Sequence, residues 1–95
     1  MRRSARVDSN QAAITAALRQ IGATVQPLHT IGKGCPDLLV GYRASNWVLE
    51  VKDGDKPPSG RKLTPDEQTW HDGWQGVVHV VEDVAQALSV IRGRV

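Results

Sequence analysis

The chain has 95 residues, of which 40% are hydrophobic and 23% are charged; this composition fits one small globular domain and excludes a disordered, collagenous or coiled-coil chain. No apolar run approaches the ~18 residues of a membrane helix, and the first residues lack the apolar segment of a signal peptide, so we expect a cytoplasmic protein with no membrane partner. The single cysteine, Cys35, excludes an internal disulfide, and a net charge of +2 is too small to indicate nucleic-acid binding by itself.

The first part of the chain predicts a helix, a strand and a loop. The helix begins near Asp8, where Asp8 would be the N-cap and Gln11, three residues later, would complete a capping box. Apolar residues follow at helical spacing until Gly22 ends the helix. Residues 24–28 are short and β-branched, which predicts a strand, and residues 29–36 form a loop punctuated by glycines.

The middle of the chain predicts a hairpin followed by a loop. Residues 37–42 and 46–52 are apolar and β-branched, and we expect two strands joined by a tight turn at Ala44-Ser45. Residues 53–62 contain glycines, prolines and mixed charges, which indicates a flexible loop.

The last part predicts a helix, a strand and a helix. Thr64 caps the second helix, Glu67 would close its capping box, and the helix runs to about Trp74. Residues 77–81 are continuously apolar, which is typical of a strand covered on both faces, and Asp83 caps the third helix. The order α-β-β-β-α-β-α over one domain, residues 1–95, predicts an α/β fold with a mixed sheet flanked by helices.

Three charged residues of the predicted hairpin converge on one face. Alternate residues of a strand share a face, so Glu50 and Lys52 point the same way. With Ala44-Ser45 as a two-residue loop, Asp37 lies opposite Lys52, and paired residues also share a face. A register slip of one residue would send Asp37 to the other face and destroy the site.

Two carboxylates beside an amine indicate metal-assisted chemistry, because such a cluster is costly on an otherwise apolar hairpin. Asp37, Glu50 and the carbonyl of Val51 are oxygen ligands of the kind that Mg²⁺ or Mn²⁺ takes, with phosphates completing its shell. Lys52 could position a water molecule or neutralise charge on phosphorus. The ordinary alternative is a surface hairpin with an unremarkable Glu/Lys pair.

The residues GCPDLLVG (34–41) and LEVK (49–52) together resemble the PD-(D/E)xK nuclease core, and more narrowly the VRR-NUC group of small, often phage- or bacteria-encoded nuclease domains. The resemblance spans about residues 8–88. It implies a restriction-endonuclease-like fold and metal-dependent hydrolysis of phosphodiester bonds, with Asp37 and Glu50 as metal ligands and Lys52 as the catalytic lysine. Stand-alone members are associated with cleavage of DNA junctions and with homodimers.

The sequence departs from this family at two positions. The family commonly has a metal-facing glutamate in its first helix, where this chain has Gln11, which keeps an oxygen but loses a charge. After the Leu-Thr-Pro segment the family commonly has a glutamine, which matches Glu67 or the adjacent Gln68. Capping remains the alternative role for Gln11 and Glu67. His71 lies on the same helical stripe as Glu67 and could line the cleft rim, whereas core packing is expected for the two tryptophans of that stripe.

The basic residues are concentrated in the first part of the chain. Residues 1–36 hold five basic groups against one acidic group, while residues 37–95 hold seven against nine. A basic arm, residues 1–7, could contact phosphates, although a solvated tail is the alternative. The candidate DNA-binding residues are Arg2, Arg3, Arg6, Lys33, Lys56, Arg61 and Lys62.

We therefore expect a Mg²⁺- or Mn²⁺-dependent DNA endonuclease that recognises branched or junction DNA, acting as a homodimer because two-fold symmetry presents two cleavage sites. One alternative is a nuclease fold that binds DNA without cutting it, as Gln11 suggests. The other is a carboxylate-pair hydrolase acting on glycosides or other small substrates, which Lys52 and the lack of an aromatic sugar platform disfavour.

Overall fold

The strands of this chain form one sheet with helices on both faces. The computed structural model describes residues 9–93. The helices are α1 (Gln11–Gln20), α2 (Pro65–Gly73) and α3 (Val84–Arg92), the strands are β1 (Thr24–Pro27), β2 (Leu38–Tyr42), β3 (Ser45–Val51) and β4 (His79–Val81), and a 3₁₀ turn spans Pro58–Gly60. The predicted order of elements and the α/β fold class are confirmed. None of the described helices is long and apolar enough to cross a bilayer.

The sheet is mixed and has the strand order β1-β2-β3-β4. β1, β2 and β3 pair antiparallel, and β4 pairs parallel to β3 after the chain passes through α2. Such a parallel pair requires a crossover connection, which here is the segment containing α2. The outer strands β1 and β4 are therefore the two edges of the sheet.

The hydrophobic core lies on one face of the sheet. Alternate residues of the central strands point to this face, and the apolar stripes of α1 and α3 pack on them. The buried core consists of Ile14, Leu18, Ala23, Leu38, Val40, Leu49, Val51, Val81, Ala87 and Ile91. Because Glu50 lies between Leu49 and Val51 in β3, its side chain points to the opposite face, where α2 lies.

Helix α1 starts later than the sequence predicted. Its first residue is Gln11, and its N-cap is Asn10, whose side chain makes no capping bond. The predicted capping box with Gln11 in third position is therefore wrong, while Asp8 itself lies outside the described residues. The Asn10 side chain instead donates to the carbonyls of Lys52 and Glu82, 2.9 Å each, so it ties the start of α1 to the ends of β3 and β4.

The hairpin turn lies one residue earlier than predicted. Tyr42 pairs with Ser45, so the two loop residues are Arg43 and Ala44, not Ala44 and Ser45. Both have positive φ angles, 50° and 66°, as the mirror-image turns of two-residue hairpins require. The sequence signal was missing because glycine or asparagine usually occupies these positions.

Strand β4 and Trp74, the residue that follows α2, also differ from expectation. β4 has three residues and is an edge strand, and Val77 and Val80 are exposed; the prediction of a strand covered on both faces is wrong. Trp74 is 46% exposed and stacks on Trp70 with ring centroids 4.6 Å apart, so the expected core packing of Trp74 is also wrong. Helix α2, which carries Trp70, has no buried residue.

The predicted caps of the other two helices are confirmed. Thr64 and Glu67 form a complete capping box at α2, with hydrogen bonds of 3.2 Å and 2.8 Å. Asp83 caps α3 by accepting a 2.8 Å bond from the backbone N–H of Gln86. The segment 53–62 contains the 3₁₀ turn, and its residues 54–60 are all exposed.

Candidate active site

Asp37 and Glu50 meet at the open end of the β2–β3 hairpin. The backbone N–H of Asp37 donates to the carbonyl of Leu49 at 3.0 Å, and its Oδ2 accepts a 2.7 Å bond from the N–H of Val51. These two bonds flank Glu50, whose side chain is hydrogen-bonded to that of Asp37. The backbone of β3 therefore fixes one carboxylate beside the other.

The predicted register of this hairpin is wrong by two residues. Leu38 pairs with Leu49, so Asp37 lies next to Glu50 rather than opposite Lys52, and Leu39 pairs with Val48 rather than with Glu50. Because side-chain direction alternates with a period of two, this shift leaves Asp37 on the same face as Glu50 and Lys52. The predicted convergence of the three residues therefore survives the error.

The two carboxyl groups share a strongly perturbed environment. Burial raises the pKa of Glu50 to about 9, with further increases from its hydrogen bond to Asp37 and from the charges of Asp37 and Glu67. Lys52 acts in the opposite direction but does not offset these effects. Two adjacent carboxylates cannot both ionise easily, so the pair retains a proton at neutral pH in the absence of a cation.

Helix α2 places Glu67 against Lys52. Lys52 is buried, and its Nζ lies 2.7 Å from Glu67 Oε1. The same oxygen accepts the N–H of Thr64 in the capping box. Although burial raises the pKa of Glu67, the hydrogen bonds from Lys52 and Thr64 outweigh it and hold this pKa below its ordinary value. Glu67 is thus an ionised partner for the lysine ammonium.

The position of α2 depends on a close approach to Gly34. This residue has a φ of 79°, and a Cβ there would clash with the carbonyl of Asp66 and lie 2.8 Å from the backbone nitrogen of Glu67. Only glycine allows the loop before Asp37 to pass so near the first turn of α2. One turn later, His71 Nε2 lies 3.3 Å from Glu50 Oε1, so α2 contacts a carboxylate as well as the lysine.

Gln11 is buried at the start of α1, and its Oε1 has no hydrogen-bond partner. Asn10, the preceding residue, is bonded to the carbonyl of Lys52, so Gln11 follows a residue tied to the end of β3. A buried acceptor without a donor costs about 1–3 kcal/mol, which a cation or its bound water would offset.

The donor set fits a hard divalent cation with few protein ligands. Within residues 9–93 no group of three or more histidine, cysteine, aspartate or glutamate side chains is arranged to hold a metal. The structure brings together two carboxylates, Asp37 and Glu50, and the sequence adds the Val51 carbonyl and the amide oxygen of Gln11 as candidate ligands. Mg²⁺ is typically held by one or two carboxylates, with waters and phosphates completing its shell.

Of the two residues that could match the family's glutamine, Glu67 and Gln68, only one contacts the site. Gln68 is exposed, and its side chain bonds Asp72 at 2.8 Å, so Glu67 rather than Gln68 contacts the site. Cys35 is close enough to Glu50 and Asp37 that burial and these two charges raise the pKa of its thiol, which keeps it protonated.

Sequence analysis did not single out Asn10 and Gly34. For Gly34 the one available signal was the residue type, because glycine readily adopts a positive φ.

The candidate DNA-binding residues that the structure describes differ in exposure. Arg2, Arg3 and Arg6 lie outside the described residues. Lys33, Lys56 and Lys62 are exposed, whereas Arg61 is half-buried and paired with Glu82 at 3.3 Å. The segment 53–62 therefore offers two exposed lysines and one arginine that is already bonded within the protein.

Comparison with known proteins shows one similar structure. No protein-family model and no curated protein matches the chain. A solved structure described as a "VRR_NUC domain" has 28% sequence identity and a TM-score of 0.62, over 86% of this chain and 89% of that one. The match extends over nearly the whole of both chains, and it agrees with the family that the hairpin motif and the order of elements already indicated. The mixed sheet and flanking helices have a restriction-endonuclease-like arrangement, and the similarity to this structure supports a VRR-NUC domain.

Proposed function

We propose that this nuclease-fold domain is a divalent-metal-dependent DNA endonuclease that acts on branched or junction DNA. The observation that carries the proposal is the pair of hydrogen-bonded carboxyl groups, Asp37 and Glu50, on the same strand face as a buried lysine, Lys52. Buried acidic pairs next to a cation are expensive for a fold, and strongly perturbed pKa values cluster at functional sites.

Four oxygens would hold Mg²⁺ or Mn²⁺: the carboxylates of Asp37 and Glu50, the carbonyl of Val51 and the amide oxygen of Gln11. When bound, the cation would polarise the phosphodiester and make water a better nucleophile at neutral pH. The chain's own contribution is to fix the ligands. The N–H of Val51 orients the Asp37 carboxylate, and His71 contacts Oε1 of Glu50.

Lys52 would stabilise charge on the phosphate during cleavage. Its ammonium is buried and paired with Glu67, so it is held in a water-poor site in one position. A fixed positive charge in such a site stabilises developing negative charge better than a solvated one, because it needs no reorganisation. Glu67 is a positioning residue in this scheme, and its ionised state keeps the lysine charged.

DNA would be bound through its phosphates. The exposed lysines Lys33, Lys56 and Lys62, with the basic arm of Arg2, Arg3 and Arg6, carry charges suited to backbone contacts, which position a duplex without reading its bases. Arg61 contributes less because Glu82 already pairs with it. A preference for branched DNA rests on the family resemblance and on the small size of the domain.

We also propose that the domain works as a homodimer. Leu39 and Val80 are 39% and 44% exposed and lie on the sheet face that carries Glu50, and Val77 and Trp74 are exposed nearby in sequence. An apolar surface of this kind favours a protein partner over phosphates. Sedimentation at tens of micromolar checks this: a particle of about 21 kDa supports it, and the 10.4 kDa monomer both with and without DNA contradicts it.

A non-cutting DNA-binding module is the second candidate. It is favoured by Gln11, which supplies a neutral oxygen where the resemblance implies a carboxylate. A weaker ligand set lowers affinity for the cation, and such a domain would bind branched DNA in a gel-shift assay without nicking it.

A nicking assay separates the two candidates. Supercoiled plasmid and a four-way DNA junction are incubated with the protein in Mg²⁺ or Mn²⁺ and in EDTA. We expect cation-dependent cleavage that falls about a hundredfold or more in Lys52→Ala, the scale of losing one transition-state donor. Arg19→Ala, which removes one charge from an exposed residue of α1, is the matched control and should cleave normally. Binding without cleavage in both cations would support the binding module instead.

A further inference from the structure

A second concave surface lies at the other end of the hairpin, away from the carboxylates. A cavity of about 410 Å³ opens between the β2–β3 turn and the last turn of α3. Its lining residues are Tyr42, Arg43, Ser45, Trp47, Ile91 and Arg92. Five residues of strand, about 17 Å, separate Tyr42 from Asp37. Trp47 pairs with Val40 and faces the core side of the sheet, opposite Glu50, so this cavity is separate from the candidate active site.

The cavity combines aromatic walls with positive charge. Tyr42 and Trp47 are half-buried and share one sheet face, while Ile91 is buried beneath them. Arg43 and Arg92 are exposed at the rim, and no acidic side chain is among the described lining residues. The surface thus offers flat apolar contacts and two guanidinium groups that no lining carboxylate neutralises.

The turn that carries Arg43 has a strained backbone, and its conformation places the Arg43 guanidinium at the cavity. Arg43 and Ala44 both adopt left-handed backbone angles, which cost residues other than glycine about 1–2 kcal/mol each. In this conformation the guanidinium carbon of Arg43 lies 5.2 Å from the centre of the Tyr42 ring. Glycine at position 43 would relieve the strain but remove this cation from the ring.

We propose that this cavity binds a nucleotide, with its base against Tyr42 and Trp47 and its phosphate between Arg43 and Arg92. Base–aromatic stacking and arginine–phosphate pairing are the contacts by which proteins hold unstacked nucleotides. The cavity volume falls in the lower part of the range of about 300–1,000 Å³ typical of small-molecule sites. The nucleotide is either free or an unpaired residue of single-stranded DNA. The inference goes beyond cleavage and does not depend on the metal site.

Other ligands fit this chemistry less well. An inorganic anion would satisfy the arginines but would not use the stacking surface of the rings. An apolar peptide side chain would cover the rings but bury two guanidinium groups without acceptors, which is costly. A ligand with a flat ring and a negative charge a few ångströms away uses both features.

The test is a binding titration of the full chain in EDTA, in which NMR and calorimetry detect binding. The probes are deoxyadenosine 5′-monophosphate, the oligonucleotide dA₆, deoxyadenosine and inorganic phosphate. We expect the monophosphate to shift the indole N–H signal of Trp47 and the amide signals of Ser45 and Arg92. Arg92→Ala and Arg43→Gly should each weaken its binding about tenfold, the scale of one charge-assisted hydrogen bond.

Arg19→Ala is the matched control, because it removes an exposed arginine on another element and should leave the affinity unchanged. Tighter binding of dA₆ than of the monophosphate would assign the site to single-stranded DNA, and binding of the monophosphate alone would assign it to free nucleotides. The proposal is overturned if neither the monophosphate nor dA₆ shifts the indole N–H signal of Trp47. It is also overturned if Arg92→Ala binds the monophosphate as tightly as Arg19→Ala does, or if inorganic phosphate binds the protein as tightly as the monophosphate does. Because EDTA prevents cleavage, failure of the proposed nuclease function would not change these outcomes.

Discussion

Lys52 and Glu67 are joined by a 2.7 Å ion pair whose acceptor oxygen also receives the N–H of Thr64 at the start of α2. One carboxylate oxygen therefore serves the candidate catalytic lysine and the helix cap together. The capping box and the site contact, which the sequence presented as alternative roles for Glu67, are therefore made by the same oxygen.

This double role predicts the behaviour of two variants at Glu67. Glu67→Ala removes the side-chain half of the capping box and leaves a buried ammonium without its carboxylate, so it should lower the free energy of unfolding by about 2–4 kcal/mol and impair cleavage. Glu67→Gln keeps an acceptor and should retain most of the stability. Urea denaturation and nicking assays measure both effects. Gln68→Ala, on the exposed side of the same turn, is the control, and an equal loss there would refute the assignment.

The close approach at Gly34 predicts a difference between two loop glycines. Gly34 and Gly32 both have positive φ angles, 79° and 76°, but only a Cβ at Gly34 meets α2. Gly32→Ala should therefore cost only the backbone strain, about 1–2 kcal/mol. Gly34→Ala should cost more and should also reduce cleavage, because α2 must move away from Lys52. Thermal unfolding and cleavage rates measured side by side check this, and equal effects in the two variants would contradict it.

The role of Asp37 as a metal ligand predicts weaker metal binding without unfolding. In Asp37→Asn the amide oxygen can still accept the N–H of Val51, so the hairpin should remain folded. The missing charge should weaken Mn²⁺ binding tenfold or more, about 1.4 kcal/mol. Calorimetry gives the affinity and circular dichroism checks the fold. Unchanged Mn²⁺ affinity would exclude the proposed site.

The raised pKa of Glu50 predicts how stability depends on pH in EDTA. The folded protein holds a proton on Glu50 up to about pH 9, whereas an unperturbed glutamate releases it near 4.5. Between these values the folded state binds more protons, so the free energy of unfolding should fall as the pH rises. Glu50→Gln should flatten this slope in urea titrations from pH 5 to pH 9. Identical slopes for the two proteins would contradict the pKa assignment.

The basic arm predicts a change in the salt dependence of DNA binding. Neutralising Arg2, Arg3 and Arg6 should weaken affinity equally on all sequences. The log–log slope against salt should become shallower by roughly 0.7–0.9 for each DNA phosphate that the arm no longer neutralises. Fluorescence anisotropy over a salt series measures it, with Arg19→Ala as the single-charge control. An unchanged slope would show that the arm is only a solvated tail.

Sequence periodicity predicted the arrangement of Asp37, Glu50 and Lys52 because strand faces depend only on whether residues are an even or odd number apart. The turn was misplaced by one residue, which changed every partner but no face. The caps at Thr64 and Asp83 were also predictable, because local hydrogen-bonding patterns determine them.

Long-range placement was not predictable from the same signals. The valines of β4 were expected to be covered on both faces, but β4 is an edge strand, and strand order is not encoded in local apolar content. Helical spacing placed His71 and Trp74 on one stripe. Only the packing of α2 across the sheet separates His71, beside Glu50, from the exposed Trp74.

Helix α2 has no buried residue, yet it supplies Glu67 and His71 to the site. The contacts of α2 with the sheet therefore include polar ones to Lys52 and Glu50, which are themselves site residues. By contrast, α1 and α3 pack on the apolar core. Local opening of a protein occurs first where few apolar contacts must be broken. In hydrogen exchange the amides of α2 should become unprotected before those of β2 and β3. A cation or DNA bound at the carboxylates would slow this opening. The exchange rates of the α2 amides would then report whether the site is occupied.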